Sequence, residues 1–153
     1  MMNSYAKLRP WTESEVCECD EVNELLLVYT LTDNPIHCYQ CKGSIDPERL
    51  ALSDGVVDDV ASWRQVFSAL YELWLNSGEY EAWAKENLLN RTGQVNVEGL
   101  AVSSVLSKQW PTYYWWFYDS DDPIPGTCPS CNTEMEASPI HGNKLCTKCR
   151  IVV

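Results

Sequence analysis

Apolar residues recur at three- and four-residue steps through the middle of the chain, at Val60, Trp63, Phe67, Leu70 and Trp74. That period lines one face of an α-helix. It predicts a long helix within "DGVVDDVASWRQVFSALYELWLN", with Asp58 and Asp59 near its N-terminus, where acids oppose the helix dipole. Ser77-Gly78 supplies the stop, and "EYEAWAKENLL" reads as a second, shorter helix. A third opens near Asn96, a side chain suited to an N-cap, and runs through "VEGLAVSSVLSK". Elsewhere the pattern changes to unbroken apolar runs. "ELLLVYTLT" (24–32) is β-like, and "TYYWWFY" (112–118), after Pro111, predicts a well-buried strand. "DSDDPIPG" (119–126) is a turn-rich linker.

Composition adds a division into three. Residues 1–50 hold Cys17, Cys19, Cys38 and Cys41, with nine acids against four bases. Residues 51–127 have no cysteine, hold six of the seven Trp, and sum to −7. Residues 128–153 hold Cys128, Cys131, Cys146 and Cys149 and sum to +1. The expected architecture is α+β: a small helical core with an aromatic strand, flanked by an N-terminal four-cysteine zinc-knuckle region and a C-terminal zinc-ribbon hairpin. At 153 residues and 45 % hydrophobic, the chain can bury a core without cross-links. The N-terminal "MMNSYAKLRPW" has no apolar run of the kind a signal peptide needs, and "LLLVY" and "YYWWFY" are too short to span a bilayer. A cytoplasmic location is the expectation.

In a reducing compartment, paired cysteines read as metal ligands before disulfides. Fourteen residues separate the terminal Cys-x-x-Cys pairs. A two-residue spacer lets both thiolates of a tight turn reach one Zn²⁺, and two such turns complete a tetrahedron. The intervening stretch fits an out-and-back hairpin: "TEMEASPI", a turn at "HGN" (141–143), then "KL". A closed site of four cysteines has no open position, so this zinc is expected to be structural. "CTKCRIVV" offers no strand-to-helix setting for a thioredoxin-like centre. The N-terminal set is less regular: Cys17-x-Cys19 precedes Cys38-x-x-Cys41 by eighteen residues, room for one β excursion. One to two structural Zn²⁺ ions per chain are expected, and Gly43 allows the backbone to turn beneath the sulfurs. His37 and His141 read as surface or turn histidines.

No catalytic set emerges. Both histidines lie beside cysteine turns, no Gly-rich phosphate loop is present, and the His-x-Glu of a zinc deaminase is missing. Asp119, Asp121 and Asp122 read as a solvated turn rather than a Mg²⁺ site. An enzyme is not expected. Aromatics on a sheet can stack unpaired bases, but such platforms are interleaved with Lys and Arg, so "YYWWFY" reads as a core strand against the Trp stripe.

The blocks "CYQCKGSID", "LYELWLNSGEYEAWA", "GQVNVEGL", "TYYWWFYD" and "CPSC…CTKC" together resemble an uncharacterised bacterial family described as zinc-ribbon-containing, with nucleic-acid binding suggested for it. The resemblance spans the chain from the first Cys-x-x-Cys onward and implies Cys128, Cys131, Cys146 and Cys149 as ribbon ligands. Nucleic-acid binding has local support in Lys144, Lys148 and Arg150. Against it stands a net charge of −11, since phosphate binding draws on clustered bases. Four thiolates with Zn²⁺ also carry −2, which turns the terminal segment negative. The acidic balance suits a protein-interaction module that meets a basic protein, so protein partner and nucleic acid both stand, and no membrane is expected.

Overall fold

The computed structural model describes residues 4–8, 16–138 and 144–153. Three helices, α1 (Asp54–Asn76), α2 (Glu81–Leu89) and α3 (Gln94–Leu106), pack beside a mixed sheet. Its six strands are β1 (Leu25–Leu27), β2 (Ile36–Cys38), β3 (Thr112–Trp115), β4 (Glu136–Ala137), β5 (Lys144–Cys146) and β6 (Ile151–Val152). Their order is β2-β1-β3-β6-β5-β4, so all three compositional segments contribute to one sheet. The inner trio β1, β3 and β6 is parallel, while β2, β5 and β4 attach as antiparallel hairpin partners.

The helices fill the crossover between β2 and β3 and cover one face of the sheet. Val57, Val60, Trp63 and Phe67 of α1 meet Leu25, Leu27, Tyr114 and Trp116 in a single core. The Trp63 and Tyr114 rings stand edge-on at 5.7 Å, and Phe117 packs edge-on to Trp74 at 4.9 Å. Gly99 of α3 makes this possible. A Cβ there would sit 2.5 Å from the Tyr114 ring and 2.7 Å from the Trp63 indole nitrogen. The α+β class expected from the sequence is the class observed. Among the described residues, no helix is long and apolar enough to cross a membrane.

Several local expectations need correction. Helix α1 starts four residues before Asp58, because the Ser53 hydroxyl caps the Val56 N–H at 3.3 Å and Asp54 occupies the first turn. Asn96 lies inside α3, whose cap position is Gly93. Its fully buried amide instead donates to Leu88 O and Asn90 O, both at 2.9 Å, carbonyls at the end of α2, and accepts from the Tyr114 hydroxyl at 2.9 Å. The aromatic strand serves both faces of the sheet. Tyr114 and Trp116 enter the helical core, whereas Tyr113 and Trp115 join Leu26, Tyr39, Leu145 and Val152 on the opposite side. The acid cluster is a turn that is solvated only in part. Asp121 is exposed, but Asp119 is buried, and Lys85 of α2 bridges Asp119 and Asp122 at 2.9 Å each. The Asp121 N–H and then Lys85 hold the Asp119 carboxyl below the usual carboxylate range.

Candidate metal centres

Three of the four cysteine pairs sit in the same kind of turn. At Cys38–Cys41 and Cys128–Cys131 the N–H two positions on donates to a cysteine sulfur: Gly43 N to Cys41 Sγ at 3.3 Å and Ser130 N to Cys128 Sγ at 3.4 Å. Lys42 N returns to Cys38 O and Asn132 N to Cys128 O, each at 2.9 Å. At Cys146–Cys149, where the chain turns from β5 into β6, the Cys149 N–H approaches Cys146 Sγ at 3.5 Å. The residue after the second cysteine is left-handed in all three: Lys42 (φ 64°), Asn132 (φ 61°) and Arg150 (φ 54°). That kink turns the chain back on itself so that both sulfurs of a turn point the same way. N–H donation to sulfur stabilises a thiolate.

The fourth pair is built differently. Cys17 and Cys19 lie on an extended segment whose Cys17 N–H bonds Ser44 O at 2.8 Å. Arg49 clamps that segment from behind, donating to Cys17 O at 3.0 Å and Cys19 O at 2.7 Å. Gly43 is required here for close approach: a Cβ on it would lie 2.5 Å from Cys17 N and 2.7 Å from its Cα. The glycine beneath the sulfurs is thus explained by a crossing chain rather than by a turn.

These elements bring the eight cysteines into two groups, Cys17/Cys19/Cys38/Cys41 and Cys128/Cys131/Cys146/Cys149. Within each, the four sulfurs lie within 4.8 Å of one another. Cys131 Sγ and Cys146 Sγ are 3.7 Å apart, close to the edge of about 3.8 Å that a tetrahedron of ~2.3 Å metal–sulfur bonds would have. All eight cysteines are free thiols. Each group could hold one metal ion with four protein ligands.

The electrostatics call for a cation. Burial, then contact with Cys131, pushes Cys149 up to about 12. Burial likewise pushes Cys41 up to about 12 against the pull of the Gly43 N–H. Cys131 goes the other way, down to about 6, because the Thr133 hydroxyl lies 3.1 Å from its sulfur and the Thr133 N–H also points at it. In the other group burial works to raise Cys17, but the Cys19 N–H and Cys41 outweigh it and leave that thiol below its ordinary value. Each group thus holds one thiol below its ordinary value beside others pushed above theirs, the usual result when like charges share a site. A divalent ion removes that conflict.

His37 is not at the surface. It is buried in β2, with Nδ1 2.8 Å from Lys42 O and Nε2 3.0 Å from Asn34 O, and so buttresses the first cysteine turn without joining the ligands. His141 and the expected 141–143 turn lie outside the described residues. The hairpin arms that flank it pair as expected, Glu136 with Leu145 and Ala137 with Lys144. Two supports of the sites lie beyond the ligand pattern itself. Arg49 is thirty residues or more from the carbonyls it holds, and no spacing rule marks such a clamp. Thr133 follows Cys131 by two positions, a separation at which side chains of this type bond locally, so that signal was available. Comparison of this chain with protein-family models, curated proteins and solved structures finds no match.

Proposed function

We propose that this chain is a zinc-ordered binding protein without a catalytic centre of its own, holding two structural Zn²⁺ ions. The observation that carries this reading is the closure of each cysteine group: four thiols of the chain surround one point. Zn²⁺ with four protein thiolates has no position left for water or substrate. Such a metal contributes folding free energy, of order 10 kcal/mol or more at neutral pH in small zinc modules.

A protein partner is the reading we favour. Leu73, Tyr80 and Trp83 line a shallow groove between α1 and α2, and Trp83 is 54 % and Tyr80 51 % exposed. Glu79 and Glu81 flank it in sequence. Exposed Trp and Tyr anchor protein interfaces, and the acids favour a basic partner, in keeping with the net charge of −11. The nucleic-acid reading draws on Lys144, Lys148 and Arg150 around the terminal cysteine turn and on the family resemblance.

Metal analysis of the purified chain tests the first half, with two zinc per chain expected. A folded protein free of metal would end the reading. Gel-shift titration at low salt with single-stranded and duplex oligonucleotides tests the second half. No shift is expected, and a shift abolished by combined Lys144→Gln, Lys148→Gln and Arg150→Gln would transfer the role to nucleic acid.

A further inference from the structure

We propose that the chain carries a binding pocket for a small planar anion, an aromatic ring bearing one carboxylate or phosphate, outside the carboxyl ends of its parallel strands. The proposal goes beyond the zinc reading and concerns a different surface from the Tyr80/Trp83 groove. The cavity has a volume of about 550 Å³, within the range of small-molecule sites. Val28 follows β1, Trp115 ends β3 with Phe117 just beyond it, and Val153 follows β6, so the cavity opens where all three parallel strands end. In open sheets this end is where ligands enter. Phe67 and Tyr71 of α1 form its helical wall.

Charge identifies the occupant. The chain has 22 acidic residues against 11 basic ones, yet among the described residues lining the cavity none is Asp or Glu. The lysines that line it are Lys42 and Lys144. Neither is in an ion pair among the described residues, whereas Lys7, Arg64 and Lys85 all are. Lys42 Nζ lies 5.3 Å from the centroid of the Trp115 ring. Strand order puts the backbones of the two lysines on opposite sides of β3, since Lys42 follows β2 and Lys144 opens β5. An apolar, aromatic-walled cavity with cations at two margins favours a flat ring with an acid at its edge. The ring displaces water from Trp115 and Phe117, and the acid neutralises a lysine that has no carboxylate of its own. The left-handed turn after Cys41 fixes where the Lys42 backbone sits, so the first cysteine group positions one of the two charges.

The test is isothermal titration of the metal-loaded full chain with two matched pairs, indole-3-carboxylate against indole-3-carboxamide, and adenosine monophosphate against adenosine. At least one acid is expected to bind one to one, with its neutral counterpart about tenfold weaker or more. Lys42→Gln and Lys144→Gln should each weaken the acid by about three- to tenfold, the worth of one charge-assisted contact. Lys42→Arg should restore binding, and Lys148→Gln, the same charge change outside the cavity, should leave it unchanged. Metal content and near-ultraviolet dichroism confirm that each variant is folded. The proposal is overturned if neither acid binds at millimolar concentration or if the neutral compounds bind as well as the acids. It is equally overturned if Lys148→Gln weakens binding as much as Lys42→Gln, because general charge would then account for the effect.

Discussion

The missing side chain at Gly43 decides whether the N-terminal cysteine group can close. The atoms that an added Cβ would meet are Cys17 backbone, at 2.5 and 2.7 Å, and backbone cannot turn aside as a flexible side chain can. Gly43→Ala should therefore push the Cys17–Cys19 segment away from Cys38 and Cys41. Metal analysis is expected to fall from two ions per chain toward one, with the C-terminal group still loaded. At this scale the sequence was uneven. The eight cysteines and their grouping into two sets of four were legible, because short turns suited to chelation leave a spacing that can be counted. Asn96 was not: its type suits a cap, and what reassigns it is the placement of α2's last carbonyls and the Tyr114 hydroxyl around its amide. The pairing of Lys85 with Asp119 and Asp122 was hidden in the same way, by a separation of more than thirty residues.

Among the elements, the helices were legible and the sheet mostly was not. A helix of 23 residues such as α1 repeats its apolar stripe often enough to be read. Strands of two to four residues leave too little pattern for period-two reasoning, and nothing local states which strand lies beside which. The segment "RIVV" shows the cost of this. Too short to show a period, it supplies β6 (Ile151–Val152), buried and paired on both sides, with Tyr114 opposite Ile151 and Leu145 opposite Val152. This changes what a ligand substitution should do. On composition alone, Cys146→Ser would loosen the last segment and spare the helices. Since β5 and β6 continue the sheet from β3, the variant should also loosen Tyr114 and Trp116, which touch both sheet and helices. The expected result is one thermal transition at lower temperature with loss of near-ultraviolet aromatic dichroism. Two separate transitions, the upper one unchanged, would show that the helices stand without the terminal hairpin.

For the whole molecule, bound metal should set the pH dependence. Thiols that ionise at about 8.5 in the unfolded chain must be thiolates to hold an ion, so the metal's contribution to stability should decline as pH falls from about 8 toward about 5. Thermal melts of the metal-loaded chain across that range should shift to lower temperature as pH falls, and chelator should remove the folded signal throughout. Thiols protonated near neutral pH must become thiolates to bind, so taking up zinc should release protons, a count that calorimetry in buffers of different ionisation enthalpy can make.

The position of β6 also imposes an order in time. Every other element precedes it in the chain, yet its place is between β3 and β5 rather than at the rim. A nascent chain can assemble β2, β1 and the three helices around β3 while one side of β3 still presents bare N–H and C=O groups. That edge is rich in Tyr and Trp, a combination prone to pairing with another chain. An ion held by Cys128, Cys131, Cys146 and Cys149 would keep the β5–β6 hairpin ready to fill that gap. On the zinc reading, supply of metal would then bear on how long a half-built sheet stays open during synthesis, apart from any part it has in the finished protein.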